Sequence, residues 1–242
     1  MKLPLLLIHL LLVTTTFAAD RASAIFQKGN IILFQGDSIT DGGRNRKDDP
    51  FNALGSSYAL LVSAKYGAQY AEHKLVFFNR GISGNKIPDL LNRWQADTID
   101  LKPSVVSILI GVNDIWHPLN DGKEVSAEAF EKGYDELLAR TVKELPDVKL
   151  ILLEPYITPG RATTPKWDDW QGHLVKFQAI VAKLGAKYHA PVVKLQQAFD
   201  EACKRAPAAY WVYDGVHPTY AGNQLIADEW VKVACATWPA KE

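Results

Sequence analysis

The chain has 242 residues, with 27 Lys and Arg against 27 Asp and Glu, so its formal net charge is zero. Hydrophobic residues make up 48% and charged residues 22%, a globular profile that excludes disordered, collagen-like and disulfide-rich chains. A general nucleic-acid binder needs an excess or a stripe of Lys and Arg to neutralise phosphates, and the sequence has neither.

The chain opens on Lys2, the apolar run Leu3–Val13 and small residues ending at Ala18-Ala19. A basic start, a short apolar stretch and small residues describe a secretory signal peptide over residues 1–19, with cleavage after Ala18, Ala19 or Ala24. The run falls short of the roughly 20 apolar residues that a membrane span needs. A secreted or periplasmic protein without stable membrane insertion is therefore expected, an uncleaved anchor being the alternative. Residues 25–240 are read as one domain.

Apolar runs and helical patterns then alternate. Strands are predicted at Ile31–Phe34, Leu75–Phe78, Val105–Ile110, Leu150–Leu153 and Val192–Leu195. Several are β-branched or aromatic on both faces, as strands covered on both sides should be. Helices are predicted at Ser56–Tyr66, Pro88–Thr98, Ser126–Leu145, Lys166–Leu184 and Asn223–Ala236, from apolar spacing, starting Ser or Pro residues and terminating Gly or Pro residues. The alternation predicts a five-stranded parallel sheet with helices on both faces. The longest irregular loops are 41–55 and 155–170. Cys203 and Cys235, on what read as two late helices, have no metal-ligand spacing, and whether they pair or stay buried thiols is left open.

In an open parallel sheet, function gathers beyond the carboxyl ends of the strands. Gly36-Asp37-Ser38-Ile39-Thr40 follows the first strand, Asn79-Arg80-Gly81-Ile82-Ser83-Gly84-Asn85 the second and Gly111-Val112-Asn113-Asp114 the third. Asp214-Gly215-Val216-His217 precedes the last helix. These parts meet the needs of acyl transfer. A serine hydroxyl needs a base to become a nucleophile: Ser38 is the candidate nucleophile and His217 the candidate base. Asp214 is placed to hold the imidazole's tautomer. The backbone N–H groups of Ser38 and Gly81 and the side-chain amide of Asn113 are candidate oxyanion donors. Asp37 is read as orienting the turn through backbone N–H groups, Asp114 as a helix cap, Asn85 as a brace for the Gly81 loop, and Arg80 as paired with a carboxylate at the sheet edge. Trp116, Trp211 and Tyr213 flank this edge; they suit sugar rings or simply pack in the core. Trp167 and Trp170 beside the second loop fit a cleft or a subunit contact. His117, followed by Pro118 in what reads as a turn, is the rival to His217.

Each motif alone is weak, but their order and their places at strand exits are specific. Gly36-Asp37-Ser38, Gly81, Gly111-x-Asn113-Asp114 and Asp214-x-x-His217 together resemble the four blocks of the SGNH (GDSL-type) hydrolases. Leu54-Gly55-x-x-Tyr58, Arg93-Trp94, Ile115-Trp116, Trp211 and His217-Pro218-x-x-Ala221-Gly222 are similar to the bacterial acetylxylan esterase branch. The resemblance implies a three-layer α/β/α flavodoxin-like fold, no cofactor and no metal. It also implies a serine esterase acting on acetyl groups of plant polysaccharide fragments such as acetylated xylan, in a branch that often forms oligomers. An acylated carbohydrate is thus the expected partner. A lipase, lysophospholipase-like enzyme or broad arylesterase of the same fold is the alternative. A metal-dependent phosphoesterase lacks the paired-metal histidine cluster it would need, and a non-catalytic glycan-binding module would have no use for the full catalytic set.

Overall fold

The computed structural model describes residues 23–47 and 50–239; the signal-peptide reading of residues 1–19 lies outside them. Five strands form one sheet in the order β2-β1-β3-β4-β5: β1 Ile31–Gly36, β2 Val76–Asn79, β3 Val105–Leu109, β4 Lys149–Leu153 and β5 Val192–Val193. All neighbours run parallel, with Leu33 opposite Val106, Phe34 opposite Asn79 and Leu109 opposite Leu153. Every residue of β3 is buried, as expected of a central strand covered on both faces.

The helices are α1 Ser38–Asp41, α2 Tyr58–Gln69, α3 Ile87–Asp97, α4 Val112–Asp121, α5 Ala127–Glu144, α6 Trp167–Lys187, α7 Leu195–Cys203, α8 Ala208–Trp211 and α9 Tyr220–Thr237. α2 packs on α9, while α3 packs on α5 and α5 on α6. This is the expected α/β/α sandwich around a parallel sheet. Two buried indoles hold the layers without stranding their N–H groups. Trp230 of α9 donates to Ser107 Oγ on β3 at 2.9 Å, and Trp94 of α3 donates to Thr141 Oγ1 on α5 at 2.9 Å.

The predicted strands and long helices lie within a few residues of the observed ones. Three helices, α1, α4 and α8, were not anticipated, while the late helix expected around Cys203 is α7. α1 and α8 are single turns. α7 begins at Leu195, where the fifth strand was expected to end. α4 runs through Pro118, which reads in sequence as a turn; the ring costs one intrahelical hydrogen bond, yet the Pro118 carbonyl still accepts from Lys123 N at 2.8 Å. Cys203 and Cys235 are not joined in a disulfide. Among the described residues, no helix is long and apolar enough to cross a membrane, and no group of three metal-ligating side chains occurs.

Candidate active site

The carboxyl end of β1 turns into α1 at Asp37. The Asp37 side chain caps that helix, its Oδ1 accepting from Ile39 N at 3.0 Å, so Ser38 becomes the first helical residue. This is the turn-orienting role the sequence indicates. At the other end of the chain, Asp214 Oδ1 accepts from Val216 N at 2.9 Å and His217 N at 2.7 Å. These two bonds wrap residues 214–217 around the carboxylate, an Asx arrangement that needs an acid or amide at its first position.

The two segments meet. Ser38 Oγ lies 2.9 Å from His217 Nε2, and His217 Nδ1 lies 2.8 Å from Asp214 Oδ2. A carboxylate only accepts, so Nδ1 carries the proton and Nε2 is left to accept from the serine hydroxyl. Burial of Asp214 works against its ionisation, but hydrogen bonds from the His217 ring and from the His217 and Val216 backbones outweigh it and lower its pKa to about 2. The rival His117 is not on the serine; its Cε1 stands 4.0 Å from a Cβ built on Gly84.

Asn113, at the start of α4, donates from Nδ2 to the Asn85 carbonyl at 3.2 Å, leaving its second amide hydrogen available. The Asn85 side chain is itself held by Arg93 Nε at 2.8 Å, so Asn85 braces the loop as expected. The expectation for Gly81 fails. Its N–H donates to Asn79 Oδ1 at 2.9 Å, and a Cβ there would stand 2.4 Å from Asp41 N. Gly81 therefore serves close packing of its loop against α1 and has no hydrogen left for an oxyanion. Asn79 two positions before Gly81 is the sequence signal for this, since asparagine side chains bond the backbone two residues on. Gly84 offers what Gly81 does not. It adopts φ +83, it is partly exposed, and its N–H has no acceptor among the described residues. The next residue's carbonyl receives Asn113. The Ser38 N–H is equally without an acceptor among the described residues. The preceding Ser83 is pinned by Asp41 Oδ2, which accepts from its N at 2.9 Å and its Oγ at 3.0 Å.

The cavity over Ser38 measures about 340 Å³ and is lined by Ser83, Tyr213, His217 and Pro218 among others. Tyr213 stacks on the His217 ring at 5.7 Å and 17°, and Trp116 tilts against it at 5.8 Å. Tyr213 is 53% exposed and so offers an open face. For Trp211 the packing alternative describes the structure: the ring packs against the core and Tyr210 at 5.1 Å and under the Arg205 guanidinium at 5.0 Å, with no ring contact to His217. Trp170 is buried beneath Trp116 at 6.1 Å. Trp167 lines a separate cavity with Pro159 and Val175. Asp114 caps a helix, but not its own: Oδ1 accepts from Ile87 N at 3.1 Å, at the start of α3. Among the described residues Arg80 pairs with no carboxylate; its guanidinium lies over the Phe78 ring.

Beneath the site, buried Asp37 and partly buried Asp114 each hold one buried oxygen without a partner among the described residues, Oδ2 in both. Burial raises both pKa values to about 7, against the hydrogen bonds from Ile39 N and Ile87 N respectively. The folded state then holds protons that the unfolded chain, with a carboxyl near 3.8, has already lost. Stability from these groups is greatest in acid and declines as pH rises from about 4 to about 7. Asp37→Asn keeps the acceptor for Ile39 N and removes the ionisation. Its Tm is expected to fall less steeply over that window than the wild type's; equal slopes would place the Asp37 titration elsewhere.

The sequence pattern of the GDSL-like Lipase/Acylhydrolase family matches residues 34–225. An acetylxylan esterase of Geobacillus stearothermophilus is 34% identical over 217 residues, covering 87% of this chain and 96% of that protein. Its crystal structure superposes with a TM-score of 0.77 at 32% identity, covering 90% of this chain and 100% of that chain. A candidate GDSL-like lipase from Parabacteroides merdae superposes with a TM-score of 0.82 at 39% identity, covering 87% and 97%. Catalytic mutants of the Geobacillus enzyme carry alanine at a serine, an aspartate and a histidine.

Proposed function

The chain belongs to the GDSL-like lipase/acylhydrolase family and is a carboxylic ester hydrolase; we propose that it removes acetyl groups from plant oligosaccharides such as acetylated xylan through an acyl-enzyme on Ser38. The observation that carries this reading is the Ser38–His217–Asp214 chain of hydrogen bonds, 2.9 and 2.8 Å long, opening into a small cavity. Similarity to the Geobacillus acetylxylan esterase over nearly the whole of both proteins supports the acetyl and carbohydrate assignments. A cavity of about 340 Å³ lined largely by Ser, Gly and His suits a short acyl group better than a long chain, which needs a continuous apolar groove.

In the proposed sequence, Ser38 Oγ attacks the ester carbonyl while its proton passes to His217 Nε2. The Ser38 and Gly84 N–H groups and the free amide hydrogen of Asn113 receive the oxyanion. The tetrahedral species collapses, the sugar oxygen leaves with the proton from His217, and the acetyl group stays on Ser38. Water, deprotonated by His217, then releases acetate. Tyr213 and Trp116 beside His217 are the surfaces on which a sugar ring would rest.

Acetate release from acetylated xylo-oligosaccharides, acetylated pectin fragments and acyl esters of rising chain length tests the substrate class, with Ser38→Ala as control. Faster turnover of long acyl esters than of acetyl sugars would overturn it. Asn113→Ala is expected to lower kcat by on the order of 10²–10³, the usual loss of one oxyanion donor, with KM little changed; a loss under about fivefold would remove Asn113 from the oxyanion site. We further propose export through the N-terminal segment, for which N-terminal sequencing of the mature protein is the check.

A further inference from the structure

We infer that Arg93, on α3, is a positioning residue for ester hydrolysis: its guanidinium fixes the turn that carries the Gly84 N–H against the strand end that carries Ser38. The inference rests on the esterase reading above and deepens it, naming what holds the oxyanion donors in place.

One residue of β1 departs from the apolar pattern of a sheet covered on both faces. Gln35 is fully buried, and a buried amide costs stability unless its polar atoms find partners. Its Nε2 donates to the Asp97 carbonyl and to Thr98 Oγ1, both at 2.8 Å, and its Oε1 accepts from Arg93 Nη1 at 2.9 Å. Asp97 Oδ2 accepts from the same nitrogen at 3.0 Å. The Arg93 side chain is 15% exposed, so Asp97 answers its charge while Gln35 helps set its plane. The ion pair with Asp97, four residues on, is an ordinary helix contact and uses only Nη1. The other two nitrogens reach the active-site segments.

Nη2 donates to the Gly36 carbonyl at 3.3 Å and Nε to Asn85 Oδ1 at 2.8 Å. Gly36 ends β1, two residues before Ser38. Its carbonyl also accepts from Ile82 N at 3.1 Å, and the Ile82 carbonyl accepts from Asn85 N at 3.1 Å. Residues Ile82 to Asn85 therefore form a β-turn with Gly84 in its third position at φ +83, where glycine is favoured. The guanidinium closes a ring around this turn. The Gly36 carbonyl holds the first residue of the turn, and Arg93 ties the last residue back to the same carbonyl. Gly84 sits within that ring. Asn113 joins it as well, its amide donating to the Asn85 carbonyl at 3.2 Å. The three proposed oxyanion donors come from three separate segments, and Arg93 links the first two directly and the third through Asn85.

The chemistry of the side chain matters. A guanidinium presents donors along three edges of one plane, whereas an ammonium concentrates its donors on one atom. Lysine could keep the Asp97 pair, but it could not meet Gln35, Gly36 and Asn85 together. Donors displaced from the oxyanion weaken binding of the transition state more than binding of the ester.

The test measures kcat and KM for a small acetyl ester, each variant being assayed well below its own Tm. Arg93→Lys and Arg93→Met are each expected to lower kcat by on the order of 10²-fold with KM little changed, the loss that misplacement of catalytic groups produces. Tm should separate the two, since only the methionine variant breaks the Asp97 pair and leaves that carboxylate alone. Asn85→Ala should lower kcat to a similar degree, and adding Arg93→Lys to it should cost no more than about threefold further, because both act through one contact. A lysine variant within about fivefold of the wild-type kcat would show that Arg93 contributes charge and stability only. Fully additive losses in the double variant, or a rise in KM with kcat unchanged, would equally overturn the inference. In each of those outcomes, activity that is lost in Ser38→Ala leaves the esterase reading standing. Activity retained in Ser38→Ala, or none in the wild type, would remove that reading first.

Discussion

Ser38→Ala is expected to lower kcat/KM for an acetyl ester by on the order of 10⁴-fold or more, leaving at most the residual catalysis that substrate binding and the oxyanion donors provide. The size follows from what the hydroxyl does. It is the atom that bonds the acetyl carbon and the hydroxyl that meets His217 Nε2, while Ser83 Oγ, on the loop after β2, is committed to Asp41 at 3.0 Å. The fold should be indifferent. Ser38 Oγ has His217 Nε2 as its hydrogen-bond partner, and its loss exposes one imidazole nitrogen at the edge of an open cavity, where water can take its place. Tm near the wild-type value, together with collapse of activity, separates chemistry from folding. Mass spectrometry of the wild type quenched during turnover should show one added acetyl group, absent in the variant. Retention of a tenth of the wild-type rate would end the acyl-enzyme on Ser38.

What was legible in the sequence follows from what each part needs locally. Strands buried on both faces must be apolar at successive positions, so Val105–Ile110 and Leu150–Leu153 announce themselves. Ser38, Asn113, Asp214 and His217 were legible because the fold puts function at strand exits and each sits in a motif there. The remainder depends on contacts between distant segments. That Ile87 would draw its cap from Asp114 is not written near either residue. Gly81 was misread as a free donor because Gly81 and Gly84 are equally permissive in sequence. Only the side chain of Asn79, reaching Gly81 N at 2.9 Å, separates a spent donor from a free one. Arg80 departs for the opposite reason. Its type suits a carboxylate, but packing over Phe78 takes it from that partner, while Trp211 follows the packing alternative, against Tyr210 and Arg205. Pro118 reads as a break, yet α4 absorbs it because one missing hydrogen bond does not end a helix whose remaining bonds form.

Asp214→Asn should cost on the order of 10⁴ in kcat with KM little changed, the loss typical of a triad whose histidine is held in the wrong tautomer. Geometry dictates the tautomer. The inner oxygen of Asp214 accepts from two backbone N–H groups, Val216 at 2.9 Å and His217 at 2.7 Å. In the variant the amide oxygen must occupy that position, for an NH₂ group there would face two donors. The NH₂ group is then left facing His217 Nδ1, which must turn acceptor, and the ring proton moves to Nε2, pointing at Ser38 Oγ 2.9 Å away. An imidazole protonated on that side cannot take the serine proton. A second, independent signature lies in acid stability. The pKa of Asp214 in the fold is lowered from 3.8 to about 2. Its contribution to stability is therefore present above about 4 and lost as pH falls through about 2. The amide variant has no such titration, so the difference in Tm between the two proteins should shrink as pH drops from about 4 to about 2. A constant difference across that range would show that Asp214 is not the depressed acid. Activity within about a hundredfold of wild type would show that it does not set the histidine's tautomer.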